Sequence, residues 1–166
     1  MLLLVFACAV CVAQSSNQAL AAQQKESSEP MPAKGSFEVK ITPQSSPELP
    51  QGVISRMSID KTFHGDLEAT SKGEMLAAGS GGKGSSGGYV ALEQVTGTLR
   101  GHKGTFVLQH SATMTNGVPD LSIIVVPGSG TEQLAGLSGK MHIVISEGKH
   151  SYDFEYTLPE ESSPSH

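Results

Sequence analysis

The residues best placed to do chemistry are a histidine and a glutamate standing in otherwise apolar rows. Over 104–114 the chain alternates, with Phe106, Leu108, His110, Ala112 and Met114 on one face and Thr105, Val107, Gln109, Ser111 and Thr113 on the other. Over 89–99 one face collects Tyr89, Ala91, Glu93, Val95 and Leu99, so a carboxylate falls among small and apolar neighbours. Side chains of a strand alternate between its two faces, which turns both His110 and Glu93 inward. A polar group on a buried face costs free energy unless it finds a partner. Together the two could anchor a bound ligand or act as an acid–base pair with environment-shifted pKa values. The simpler reading is that they satisfy each other or backbone groups as a buried structural pair. A one-residue slip at a bulge would turn both to solvent.

Other chemistries find less support. Asp66 and Glu68 lie two apart on one strand face but lack the further oxygen ligands that calcium requires, which fits a solvated outer face. His64, His102, His110, His142 and His150 form no spacing typical of zinc ligands. Gly128-Ser129-Gly130 follows an apolar run, but the lysine and helix start of a phosphate-binding loop are missing, so it reads as a turn. No serine has the spacing of a nucleophile elbow. No nucleophile, metal or cofactor is therefore assigned.

The elements that must position Glu93 and His110 are strands. No window holds apolar residues at helical spacing, whereas alternation recurs between turn signals at 36–41, 53–63, 66–78, 89–99, 104–114, 120–126, 134–145 and 151–158. A count of 19 Gly and 9 Pro suits short strands joined by turns. The short links, among them Asn116-Gly117 and Glu147-Gly148-Lys149, join antiparallel neighbours, since a parallel crossover needs a dozen or more residues. About eight strands in sequential hairpins predict an all-β up-and-down sheet closed into a single antiparallel barrel, with a two-sheet sandwich as the alternative. The glycine-rich 79–88 reads as a flexible rim loop and a candidate lid over one barrel mouth.

The ends differ in composition. Residues 2–13 are apolar and uncharged over the length of a secretion-signal core, short of the roughly 20 needed to span a bilayer. Ala19-Leu20-Ala21 offers small residues for cleavage after Ala21, with Ala13 as second choice, although no Lys or Arg precedes Lys25. The expected organisation is a signal peptide at 1–21, a polar tether at 22–34, the barrel at 35–158 and a polar tail at 159–166, in a protein exported to the periplasm or beyond the cell. Cleavage would remove Cys8 and Cys11, leaving no disulfide and no thiolate site. With 16 acidic against 11 scattered basic residues, the chain lacks the footprint of a nucleic-acid binder and any polybasic membrane patch, and no membrane span is expected in the mature form.

Five stretches resemble a bacterial family, that of domain of unknown function 3224, whose fold is like the allene oxide cyclase barrel. They are KTFHGDLEAT at 61–70, GYVALE at 88–93, GTFVLQH at 104–110, VVPGSGTEQLAGL at 125–137 and YDFEY at 152–156. The resemblance implies a barrel of antiparallel strands and brings no activity with it. Barrels of this size hold either packed side chains or one small ligand. The leading expectation is thus a barrel that binds a small apolar molecule, lined by Tyr89, Phe106, Met114, Tyr152, Phe154 and Tyr156 with Glu93 and His110 as polar anchors. One alternative is a filled barrel serving as an envelope interaction module, possible as a homo-oligomer. The other is an isomerase- or cyclase-like enzyme using Glu93 and His110.

Overall fold

Turn chemistry sets the hairpins. Arg100-Gly101, Asn116-Gly117 and Glu147-Gly148 each place two successive residues at positive φ, 46° and 89°, 52° and 83°, and 52° and 76°. That is the geometry whose twist matches the flanking strands of a two-residue hairpin, and glycine takes the second position without a side-chain clash. The computed structural model describes residues 29–50, 52–79 and 84–159, so the expected signal peptide, most of the tether and nearly all of the tail lie outside the described residues. The strands are β1 (Met31–Gln44), β2 (Ile54–Gly65), β3 (Leu67–Gly79), β4 (Gly87–Leu99), β5 (His102–Thr115), β6 (Val118–Val125), β7 (Ser138–Ser146) and β8 (Lys149–Thr157). Each pairs antiparallel with its successor, and β8 returns to β1, closing the eight-stranded barrel and excluding the sandwich.

Three regions depart most from the sequence reading, while the other strand ends shift by at most two residues. Strand β1 starts at Met31, so the last four residues of the expected tether are strand, and it runs past Pro43 to Gln44. The prolines are tolerated because the ends of β1 pair on one side only. Met31 to Lys34 pair with β8 before the β2 ladder begins at Gly35, and the β8 ladder ends at Phe37 while that with β2 continues to Gln44. This offset is the stagger that barrel closure imposes. The glycine-rich loop is shorter than expected, with Gly79 ending β3 and Gly87 opening β4. Within it, 80–83 lie outside the described residues.

The third correction is at 134–145. Strand β7 begins only at Ser138, and Glu132–Leu134 form a 3₁₀ turn. Leu134 and Leu137 are spaced by three and not by two, and Gly136 takes a positive φ of 79°, so the run suits a turn better than a strand. This segment finishes the ladder of β5 where β6 has stopped. Thr131 donates its amide to the Thr105 carbonyl at 2.9 Å, and the Ser129 hydroxyl accepts the Val107 amide at 3.0 Å. Leu134 and Leu137, both buried, thereby cap one end of the barrel.

That end is solidly filled. Phe106 stacks on Phe154 at 6.0 Å between centroids, Phe154 meets Tyr156 at 5.4 Å, and Tyr152 packs edge-on against Phe63 at 5.8 Å. The Tyr152 hydroxyl accepts the Leu67 amide at 2.9 Å and donates to the His64 carbonyl. The other end is different. Ile41, Met114, Leu121 and Ile145 continue the inward rows of β1, β5, β6 and β7, yet are 52%, 37%, 37% and 67% exposed. Inward-facing apolar side chains in contact with solvent mark an open mouth.

Candidate functional site: a charged layer beneath an open mouth

Four consecutive strands each send one polar side chain inward at mid-barrel: Lys61 from β2, Ser71 from β3, Glu93 from β4 and His110 from β5. All four are buried, and the Glu93 side chain is 0% exposed. Lys61 and Ser71 are cross-strand partners, and His110 lies beside Ala91, two residues along the same inward row from Glu93. Gly73 lets Glu93 sit close. It pairs with Glu93, and a Cβ there would stand 2.6 Å from the Leu92 carbonyl oxygen and 2.9 Å from Glu93 Cα.

The Glu93 carboxylate is held by its neighbours. Lys61 Nζ donates to Oε2 at 2.6 Å, and the Ser71 hydroxyl donates to Oε1 in a short hydrogen bond. His110 Nε2 lies 2.9 Å from Oε2 yet makes no well-formed hydrogen bond among the described residues. Burial alone pushes the Glu93 carboxyl up. The His110 contact, the charge and hydrogen bond of Lys61 and the Ser71 hydroxyl more than reverse this and hold it at about 2. The ammonium of Lys61 also faces two rings, 5.2 Å from the centroid of Phe37 and 5.6 Å from that of Phe63, an arrangement in which the ring quadrupoles attract the cation.

Above this layer lies a cavity of about 550 Å³ bounded by Met57, Ala77, Tyr89, Ala112, Met114 and Leu121, with 85–88 along its rim. Tyr89 links cavity and layer. Burial and then the Glu93 charge raise the pKa of its hydroxyl, which stays protonated and able to donate. A groove of about 850 Å³ on the outer wall runs along outward residues such as Asp60, Lys72 and Glu74. Its charges are partnered, Lys72 with Asp60 at 3.6 Å and Glu74 with Arg56 at 2.9 Å, and it gives solvent no access to the Glu93 side chain.

The structure brings Glu93 and His110 together and places Tyr89 and Met114 at the mouth. Phe106, Tyr152, Phe154 and Tyr156, expected to line a lumen, are instead at most 2% exposed in the filled end. Their bulk leaves no space there once Leu134 and Leu137 close over them. Asp66 and Glu68 are engaged locally. Asp66 accepts the Lys34 amide at 2.9 Å and faces Arg100 at 3.4 Å, and Glu68 accepts the Gly65 amide at 2.8 Å. Among the described residues no group of three or more His, Cys, Asp or Glu is arranged to hold a metal ion. Lys61 and Ser71 went unread in the sequence. The signal was present, because Met57, Ile59, Lys61 and Phe63 form one alternating row and Leu67, Ala69 and Ser71 another.

These features define a small closed antiparallel barrel, filled and capped at one end and open at the other, with an ionised layer between. Residues 33–156 match the model of a family described as a protein of unknown function, DUF3224, and the chain belongs to that family. It is similar to a solved structure, a DUF3224 protein with unknown function from Shewanella oneidensis MR-1. The two share 47% identity and a TM-score of 0.73, over 80% of this chain and 100% of that one. No curated protein matches the chain.

Proposed function

We propose that the protein is an exported binder of one small, largely apolar molecule, held in the open half of the barrel. The observation that carries this is the mouth cavity. Its volume of about 550 Å³ falls within the range of ligand sites, and it has the usual composition of an apolar wall with a few polar groups. The ligand's apolar body would rest on Met57, Ala112, Met114 and Leu121, and the Tyr89 hydroxyl would donate to an acceptor on it. The Lys61–Glu93–His110 layer lies deeper along the same inward rows, between the filled half and the open one. Methionine-rich walls suit ligands of varied shape, since thioether chains repack readily.

Proton transfer by Glu93 and His110 is less well supported. A carboxyl held at about 2 is a weak base and has no proton to give near neutrality, whereas efficient general catalysis needs a pKa near the working pH. A resemblance to the allene oxide cyclase barrels supports the fold and not this chemistry.

Titration with the neutral apolar dye N-phenylnaphthylamine tests the proposal. Saturable fluorescence enhancement is expected, weakened roughly tenfold or more by Met114→Asp, which puts an unpaired charge on the cavity wall. Enhancement that is absent, or that is unchanged by Met114→Asp and equally by Leu121→Asp, would refute it.

A further inference from the structure

The barrel sorts its methionines by depth. Met141 is 2% exposed in the core, and Met31 packs against that core. The other three methionines among the described residues continue inward rows towards the mouth. Met57 and Met75 are directly opposed on β2 and β3, Met57 and Met114 line the cavity, and Met114 is 37% exposed. No cysteine occurs among the described residues, so these thioethers are the softest nucleophiles the site presents. Oxidation of methionine follows access, and its product is a polar sulfoxide in place of an apolar chain.

We propose that Met57, Met75 and Met114 form an oxidation site for small peroxides, and that their conversion to sulfoxides lowers the affinity of the mouth for apolar ligands. In the reaction a sulfur lone pair attacks one peroxide oxygen, the O–O bond breaks and an S–O bond forms. The departing hydroxide, or alkoxide from an alkyl hydroperoxide, takes up the remaining peroxide proton and leaves as water or alcohol, so the thioether is oxidised by two electrons and the peroxide reduced by two. The consequence for affinity rests on the ligand-binding reading above, whereas the order of oxidation does not. A sulfoxide oxygen on Met57 or Met114 in the cavity wall, or on Met75 opposite Met57, is a strong acceptor that an apolar ligand would strip of water without replacing the hydrogen bond. The filled end keeps Met141 out of reach, so the same treatment leaves the core intact.

The test treats the purified protein with hydrogen peroxide, locates added oxygen by peptide mass spectrometry and titrates N-phenylnaphthylamine on the same samples. Oxygen is expected first on Met114, then on Met57 and Met75, with Met141 unmodified while the protein stays folded. Dye affinity should fall roughly tenfold, and the variant M57L/M75L/M114L should keep its affinity after treatment. If the triple variant does not fold, Met114→Leu carries the same comparison and should retain part of the affinity that the treated wild type loses. Oxidation of Met141 as fast as Met114 would overturn the site. An equal loss of affinity in the leucine variant, or no loss in an oxidised protein that binds the dye, would overturn the consequence. If untreated protein takes up no dye, the ligand-binding reading fails by itself, and the order of oxidation still decides the site.

Discussion

Burying an ammonium, a carboxylate and an imidazole in one layer strips each of water, and the effective penalty is several kcal/mol per ion. Glu93 offsets that loss because both its oxygens are occupied, Oε2 by Lys61 at 2.6 Å and Oε1 by Ser71. Removing one partner should therefore cost more than the pair contributes. Glu93→Gln strands Lys61 in the interior and is expected to destabilise the barrel by about 3–5 kcal/mol, measured by urea unfolding at neutral pH. An apolar triple replacement, Lys61→Met with Glu93→Leu and His110→Leu, should cost less than Glu93→Gln alone. The acid side carries a second signature. Because Glu93 falls from 4.5 to about 2 on folding, the unfolded chain binds its proton at higher pH than the folded one. The stabilisation is thus full above about 4.5 and is lost as pH drops towards 2. A plot of unfolding free energy against pH should fall less steeply across that window in Glu93→Gln than in the wild type, and equal slopes would show that Glu93 is not held as described. Glu93 and His110 were legible because each breaks an apolar alternation. Lys61 breaks an alternation in the same way but went unread, since a lysine in an apolar row ordinarily extends its ammonium to water. Here the chain stays inside because strand closure sets Glu93 and two aromatic rings around it.

At the scale of elements, the segment 126–137 explains why one end is filled. Its two leucines enter the barrel and its backbone extends the β5 ladder. Leu134→Ala should destabilise by about 2–5 kcal/mol through the cavity it leaves, read as a lowered urea midpoint. If the midpoint does not move, the cap is not part of the cooperative core. Gly73 gives a prediction of the opposite steric sense. Any side chain there must displace the Leu92 carbonyl or Glu93, so Gly73→Ala is expected to cost about 1–3 kcal/mol by overpacking. Thermal unfolding of Gly73→Ala at the wild-type temperature would contradict the close approach of β3 and β4. Strands with clean alternation and Xaa-Gly turns, such as β4 and β5, were legible to within two residues. β1 and β7 were not, for physical reasons: Pro32 and Pro43 look like breakers until the one-sided pairing of β1 is known, and Leu134 and Leu137 look like strand residues until the turn that carries them inward is seen.

For the molecule as a whole, the sequence was sufficient for a closed barrel, because eight segments joined by tight links leave two edges that only pairing can satisfy. The division of the interior was not legible. Alternation assigns side chains to the inside but does not say how much volume they must share, and four aromatic residues read as lining turn out to be packing. The split follows from where 126–137 folds. One end receives the cap and the large rings, and the other keeps small and flexible residues such as Ala112 and Met114 around an open cavity. The most direct measurement of the central claim is native mass spectrometry of protein purified from its own host, before and after organic extraction. The account predicts a discrete added mass that extraction removes and that N-phenylnaphthylamine then replaces. The bare polypeptide mass in every sample, with no uptake of added dye, would contradict it.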